Sequence, residues 1–114
     1  MSKPAWKTSK LNKTLKQKFS AGPERGGLVL NDGTVVELTN ICSDPTQGFT
    51  PDLQELLPFV DRSVATWHTH PGATANLSSE DWETFVEWPD HLHAIAGTDG
   101  LRWYAVKGSA VVNA

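Results

Sequence analysis

The order of helical and extended patterns along this chain is the feature that most limits its fold. An amphipathic helix is predicted around Leu11, Leu15 and Phe19, which recur every four residues among lysines. Strand-like runs and further short helices follow, and this order predicts an α/β fold, a mixed β-sheet flanked by helices. Because 114 residues suffice for one hydrophobic core, we expect a single domain over 1–114, with 1–9 as a flexible tail.

Turn residues and prolines set the expected element boundaries. The first helix is expected to end at Gly22-Pro23, and Asn31-Asp32-Gly33 has the composition of a tight hairpin turn. The other expected elements are strands over 27–30, 34–38 and 63–70, a short helix that starts after Asp52 and stops at Pro58, a helix over 79–88, and strands over 92–96, 101–106 and 109–112.

Periodicity also predicts which side chains face the core. In the helix over 79–88, we expect Trp82, Phe85 and Val86 to form the buried face. Trp67 lies next to His68 on a predicted strand, so strand alternation places its ring on the opposite side from the histidine and favours core packing.

Charge and cysteine content exclude several classes of function. Residues 1–25 carry six lysines and one arginine against one acid, whereas residues 26–114 carry three bases and twelve acids. Without a nucleic-acid-binding motif, a solvated helix explains the basic segment better than a phosphate-binding arm, and nucleic acid is not an expected partner. No apolar run reaches the roughly 18–20 residues of a membrane span or resembles a signal peptide. Cys42 has no cysteine partner in the sequence, which favours a reducing compartment.

Two histidines on one predicted strand form the strongest chemical signal. His68 and His70 are separated by one residue, so the period of two directs both imidazoles to one face, where they can share a metal ion. Asp81 is the natural third ligand, because the Pro71-Gly72 turn can fold the next helix back over the strand. Ser78 and Asp81 also have the spacing of a capping box, a purely structural alternative.

The full string of these residues resembles the metal motif of a known enzyme family. His68, His70, Ser78 and Asp81 reproduce the pattern H-x-H-x7-S-x-x-D of the JAMM (JAB/MPN) zinc metallopeptidases without a gap or substitution. The resemblance implies an α/β JAB domain similar to cytidine deaminases, with one Zn²⁺ per chain held by His68, His70 and Asp81.

The resemblance also assigns catalytic roles. The family has an early Glu in an E-x-x-G context, which Glu24-Arg25-Gly26-Gly27 matches, although a Glu before two glycines is also a common surface turn. By this resemblance the zinc lowers the pKa of water and polarises the scissile carbonyl, and Glu24 transfers the proton to the leaving amine. Ser78 would donate a hydrogen bond to the oxyanion.

The same resemblance implies the substrates and the setting. The chain has no room for the insertions that grip ubiquitin, and it looks like the compact bacterial and phage branch. We therefore expect a cytoplasmic or phage-associated metallopeptidase or isopeptidase. Its partner would be a peptide or protein such as a ubiquitin-like protein, a sulfur-carrier protein or a phage structural protein. The alternative is a structural JAB-fold module of a phage tail or other assembly, with little or no activity.

The loops on either side of the histidines suggest how such a substrate would bind. Residues 39–50 and 71–77 form short loops of small or polar residues, which predicts a shallow, open cleft. An extended peptide with glycine near the cut would suit it, added as an antiparallel strand to a sheet edge near His70.

Three further residues have competing interpretations. His91 and His93 form a second H-x-H and could bind a second metal ion, but no carboxylate of suitable spacing accompanies them, so packed or surface histidines are favoured. Cys42 could be a nucleophile, but no thiolate-stabilising pattern surrounds it, and a small buried or loop thiol is the favoured interpretation.

Overall fold

A computed structural model describes residues 4–114, which form an α/β fold with one six-stranded mixed sheet. The α-helices are α1 (Ser9–Gln17), α2 (Leu53–Leu56) and α3 (Ser79–Val86), and the strands are β1 (Gly26–Leu30), β2 (Val35–Leu38), β3 (Ser63–Thr69), β4 (Leu92–Gly97), β5 (Gly100–Lys107) and β6 (Ala110–Asn113). No helix formed by the described residues has the length and apolar character needed to cross a bilayer.

The strands lie in the order β2-β1-β3-β4-β5-β6. Only the central pair, β3 and β4, is parallel, because α3 carries the chain back between them, whereas each other pair is antiparallel. The β1–β2 hairpin turns where predicted, with Gly33 at a φ of 89° and the Asp32 carboxylate accepting a 2.9 Å hydrogen bond from the Thr34 amide.

The two faces of the sheet bury different helices. Leu11 and Leu15 of α1 pack on one face against Val29, Trp67 and Trp103, so the predicted core role of Trp67 is confirmed. The opposite face is covered by α2 at the β1–β2 end and by α3 at the β4–β5 end, around the buried residues Leu28, Leu38, Leu56, Phe85, Ile95 and Tyr104.

The packed part of the chain begins closer to the N-terminus than the sequence suggested. Trp6 lies against the core with its ring centroid 5.8 Å from that of Trp103, and the Thr8 hydroxyl caps α1 by accepting from the Leu11 amide. The predicted tail over 1–9 is therefore wrong from Trp6 onwards, while residues 1–3 lie outside the described residues. The helix itself ends at Gln17, well before Gly22.

One further boundary prediction and one prediction of burial also need correction. Pro58 was expected to stop the short helix, but helical backbone continues past it, since the 3₁₀ segment Leu57–Arg62 follows α2 directly. Trp82 does not belong to the buried face of α3, since its side chain is 40% exposed while that of Phe85 is 2% exposed. Contacts of Asp81 and Phe85, one turn apart, fix the rotation of the helix and leave Trp82 outside.

Candidate metal centre

The two histidines of the motif lie at the carboxyl end of β3, in the middle of the sheet. His68 is paired with Gly26 of β1 and Ile95 of β4, and the His70 amide, just beyond the strand, donates to the Ala96 carbonyl at 2.8 Å. Strand alternation places both rings on the face that α3 covers, with ring centroids 5.0 Å apart. Because β3 has neighbours on both sides, the predicted sheet edge near His70 does not exist.

Asp81 reaches this pair from the first turn of α3. Its carboxylate oxygens lie 2.9 Å from His68 Nε2 and 3.1 Å from His70 Nε2. The capping box is also present, because the Ser78 hydroxyl accepts from the Asp81 amide and the Asp81 carboxylate accepts from the Ser78 amide, each at 3.1 Å. The structural and the ligand interpretations of Asp81 are therefore compatible, since the cap orients the carboxylate toward the histidines.

The protonation of His70 makes this cluster suited to a cation. Its Nδ1 lies 2.8 Å from the Thr74 carbonyl oxygen, which can only accept, so Nδ1 carries a proton and a neutral ring presents the Nε2 lone pair. That lone pair faces His68 Nε2 at 3.2 Å and the Asp81 carboxylate. Three electron-rich groups that meet in this way need a proton or a metal ion between them. Their ligand atoms lie within 4.8 Å of one another, and this group could hold a metal ion.

The titration of the cluster reflects the same arrangement. Burial acts to raise the pKa of Asp81, but hydrogen bonds from His68 and His70 outweigh burial and hold that pKa well below its usual range. Burial acts to lower the pKa of His70, but the hydrogen bonds to Asp81 and the Thr74 carbonyl raise it above the ordinary value. A metal ion would therefore compete with a proton for His70, and its affinity should fall in acid.

Glu24 lies on the neighbouring side of the same cleft. The Thr69 amide donates to the Arg25 carbonyl at 2.8 Å, and the Arg25 amide donates to the Thr69 hydroxyl at 2.9 Å. These bonds continue the β1–β3 pairing beyond Gly26 and bring residue 24 alongside residue 70. The Glu24 side chain is buried, and burial raises its pKa, although the nearby histidines act in the opposite direction. A carboxyl group so placed is a stronger proton acceptor than one in water.

Asn40 is a residue that sequence reasoning missed. Its side-chain amide donates to the backbone carbonyls of Glu24, Pro45 and Gly48 at 2.9 to 3.3 Å. Its carbonyl oxygen accepts from the amides of Cys42 and Thr50. One partly buried side-chain amide therefore fixes the loop over 40–50 to the backbone of Glu24, a role with no local sequence signature apart from an Asn in a loop.

The loop after His70 is held by the β4–β5 hairpin. The Asp99 carboxylate accepts from the Ala75 amide at 2.8 Å, and the Tyr104 hydroxyl donates to the Ala75 carbonyl at 2.6 Å. Gly97 permits this approach, since a Cβ there would overlap the backbone of Thr74 and Ala75. These contacts set the position of the Thr74 carbonyl that orients His70. They join residues distant in sequence, so a local pattern could not indicate them.

Both histidines of the second H-x-H pair make hydrogen bonds within the fold. His93 is fully buried, with Nδ1 2.7 Å from the Thr66 hydroxyl and Nε2 3.1 Å from the Trp88 carbonyl, and its ring stacks on Phe85 with centroids 4.1 Å apart. His91 Nε2 lies 2.8 Å from the Ser63 hydroxyl. Neither ring of this pair belongs to the group that could hold a metal among residues 4–114, and the packed interpretation is confirmed.

A cleft of about 910 Å³ contains the candidate centre. It is lined by Glu24 and by the four residues of the metal motif, His68, His70, Ser78 and Asp81, and it extends to the buried side chains of Leu38, Leu56 and Phe85. The cleft is therefore larger than the shallow one expected from the loops, although it is open to solvent as expected. Cys42 lines the loop side of this cleft and is half-buried.

Comparisons with known proteins support the fold and do not bear on the site. No protein-family model matches the chain, and no curated protein matches it either. The solution structure of protein DSY2949 from Desulfitobacterium hafniense is similar, with a TM-score of 0.67 and 20% sequence identity over 92% of this chain and 83% of that chain. At this identity the similarity shows the α/β fold alone.

Proposed function

We propose that this chain is a zinc-dependent hydrolase of peptide or isopeptide bonds, with a domain of the JAB/MPN type. The observation that carries the proposal is the convergence of His68, His70 and Asp81 on one point inside a cleft that also contains Glu24. Two imidazoles and one carboxylate are a ligand set typical of catalytic zinc, which usually retains one position for water or substrate.

The donor set fits a dipositive cation better than a proton alone. The Nδ1 contact to Thr74 makes Nε2 the nitrogen of His70 that can give up its proton and bind a cation, and the Asp81 carboxylate keeps its charge because its pKa is lowered. When bound by these residues, zinc supplies Lewis-acid chemistry that polarises a carbonyl and lowers the pKa of water. The chain supplies the remaining groups.

Glu24 is the proposed proton carrier. It lies outside the ligand group, in the same cleft, and its burial raises its pKa toward the range where a carboxylate can accept and then release a proton. Hydrolysis consumes one water, whose oxygen bonds to the carbonyl carbon while the C–N bond breaks. Glu24 accepts a proton from that water and passes it to the departing amine.

Ser78 is the proposed oxyanion donor. Its hydroxyl oxygen accepts the hydrogen bond from the Asp81 amide, which leaves the hydroxyl proton free of any acceptor among the described residues. Ser78 lines the cleft beside Asp81, so this proton can be donated to a substrate oxygen.

A structural module of a phage tail or other assembly is the second candidate. The observation in its favour is the capping box, which explains Ser78 and Asp81 through helix stability without any metal. It does not explain why two imidazoles meet the same carboxylate, and for this reason we prefer the enzyme.

Cleavage of a mixed peptide library, followed by mass spectrometry, tests the proposal. Zinc-loaded protein should produce cuts that a chelator abolishes. Glu24→Gln should retain zinc but reduce cleavage by about 10²-fold or more, because it removes proton transfer and leaves the ligands intact. Glu87→Gln is the matched control, since this exposed residue does not line the cleft. If no zinc-dependent cut appears, or if Glu24→Gln cuts as well as Glu87→Gln, the proposed mechanism is wrong.

A further inference from the structure

The sheet face beside His68 lacks a side chain where one would be expected. Across the sheet, His68 pairs with Gly26, and Gly26 pairs with Leu38, so these three positions share one face. A Cβ on Gly26 would lie 2.9 Å from the ring of Phe49, which shows that this ring covers the glycine directly. An aromatic surface is thus placed next to the candidate metal centre.

Apolar side chains continue from this point into the cleft. Leu38, Phe49 and Leu56 line it on the side of α2, and Phe85 and Trp88 line it on the side of α3 and the chain after it. Phe49 and Trp88 are only partly buried, although both pack against the cluster of Leu28, Leu38 and Leu56. The cleft therefore has a polar part around the histidines and an adjoining apolar part large enough for a side chain.

Apart from the histidines, the charged side chains that line the cleft are carboxylates. Besides Glu24 and Asp81, the exposed carboxylates of Asp44, Glu80 and Glu83 line it, from the loop on one side and α3 on the other. No lysine or arginine is among the lining residues in the described part of the chain. A bound divalent ion would offset the charge of the inner carboxylates but would leave the outer ones to attract a cationic ligand.

We propose that the cleft binds an extended peptide segment with a large apolar side chain beside the metal centre and a basic residue next to it. The apolar side chain occupies the apolar part of the cleft, against the rings of Phe49 and Trp88, and the basic residue lies among Asp44, Glu80 and Glu83. This inference rests on the proposed hydrolase, for which it names the substrate class. It replaces the expected peptide with glycine near the cut, since a glycine would leave the apolar part of the cleft unfilled.

Binding of matched peptides tests the inference separately from catalysis. The probe protein is zinc-loaded Glu24→Gln, and calorimetry measures affinity for peptides of equal length that differ at one central position, Leu or Gly, and at one neighbour, Lys or Glu. The Leu peptide should bind about tenfold more tightly than the Gly peptide, because a buried leucine contributes that much or more. Replacing Lys by Glu should weaken binding several-fold at low salt, and added salt should reduce this difference.

Substitutions locate the preference in the cleft. Phe49→Ala should reduce the discrimination between Leu and Gly peptides, whereas Leu53→Ala, an exposed residue outside the cleft, should not alter it. Equal affinity for Leu and Gly peptides, or a preference for Glu over Lys, overturns the inference even if the wild-type protein cleaves peptides. Preference for the Leu–Lys peptide without zinc-dependent cleavage of that peptide by wild-type protein supports the binding inference and rejects the hydrolase.

Discussion

The Nδ1 atom of His70 lies 2.8 Å from the carbonyl oxygen of Thr74, and this contact decides which nitrogen of His70 faces the cleft. The carbonyl fixes the proton on Nδ1 and directs Nε2 toward His68 and Asp81. The carbonyl is itself held by a loop that the Asp99 carboxylate anchors through the Ala75 amide. Metal affinity should therefore depend on residues that do not touch the metal.

Asp99→Ala tests this dependence. The substitution removes the anchor of Ala75 and the 3.0 Å contact with Arg102, so the Thr74 carbonyl should lose its fixed position. We expect zinc affinity to fall roughly tenfold while the fold is retained, as measured by competition with a chromophoric chelator. Asp61→Ala, in the 3₁₀ segment and outside the cleft, is the control. Unchanged affinity in Asp99→Ala would show that the loop does not orient His70.

Two substitutions of Ser78 separate its structural and catalytic roles. Ser78→Ala should lower the free energy of unfolding by about 0.5–2 kcal/mol through loss of the helix cap, whereas Ser78→Gly should lower it by only a few tenths. Both remove the hydroxyl, so both should lower kcat by about 10²-fold. Chemical denaturation and kinetics provide the two readouts. If kcat falls only in proportion to the loss of stability, so that Ser78→Gly is nearly fully active, then Ser78 acts only as a helix cap.

Burial of His93 should make the fold sensitive to mild acid. The ring is fully buried, and burial lowers its pKa to about 4, below the ordinary value of 6.5. Between these two pH values the unfolded chain binds a proton that the folded chain does not, so stability is full above pH 6.5 and falls as the pH approaches 4. The loss should reach about 2–3 kcal/mol.

Urea unfolding at a series of pH values measures this effect. His93→Gln should be less stable at neutral pH, because the stacking on Phe85 is lost, but its stability should decline less between pH 6.5 and 4. Comparing how steeply the free energy of unfolding changes with pH in the wild type and in His93→Gln separates the contribution of His93 from those of the other titrating groups. Equal slopes in the two proteins would show that another group causes the acid sensitivity.

The sequence predicts that His68, His70 and Asp81 meet, through strand alternation for the histidines and through the resemblance to the JAMM motif for Asp81, and the structure brings these three residues together. The alternation of β3 placed His68 and His70 together, and the helix start at Ser78 placed Asp81 in the first turn, where it could return toward the strand. The sequence pattern did not determine the rotation of α3. Helical spacing is compatible with a buried face that contains Trp82 and equally with one that contains Asp81 and Phe85. The contacts of Asp81 and Phe85 with His68 on the sheet select the latter face.

Contacts between distant segments account for what the sequence did not reveal. The register of β1 against β3, which brings Glu24 alongside His70, depends on pairings across more than forty positions of the chain, as between Arg25 and Thr69. Asn40, Asp99 and Gly97 support the site through backbone contacts that have no short motif. The apolar part of the cleft is likewise built from β2, a loop and two helices, so its depth could not be inferred from the loop composition.

Elemental analysis of purified protein tests most directly whether His68, His70 and Asp81 bind zinc. The wild-type protein should contain about one zinc per chain, which matches a three-ligand site of this kind. The double variant His68→Ala with His70→Ala should contain none, whereas His91→Ala, which alters the other H-x-H pair, should retain the wild-type content. Absence of zinc from wild-type protein purified without chelators and then supplied with the ion would contradict the account. So would zinc that survives in the double variant and disappears from His91→Ala.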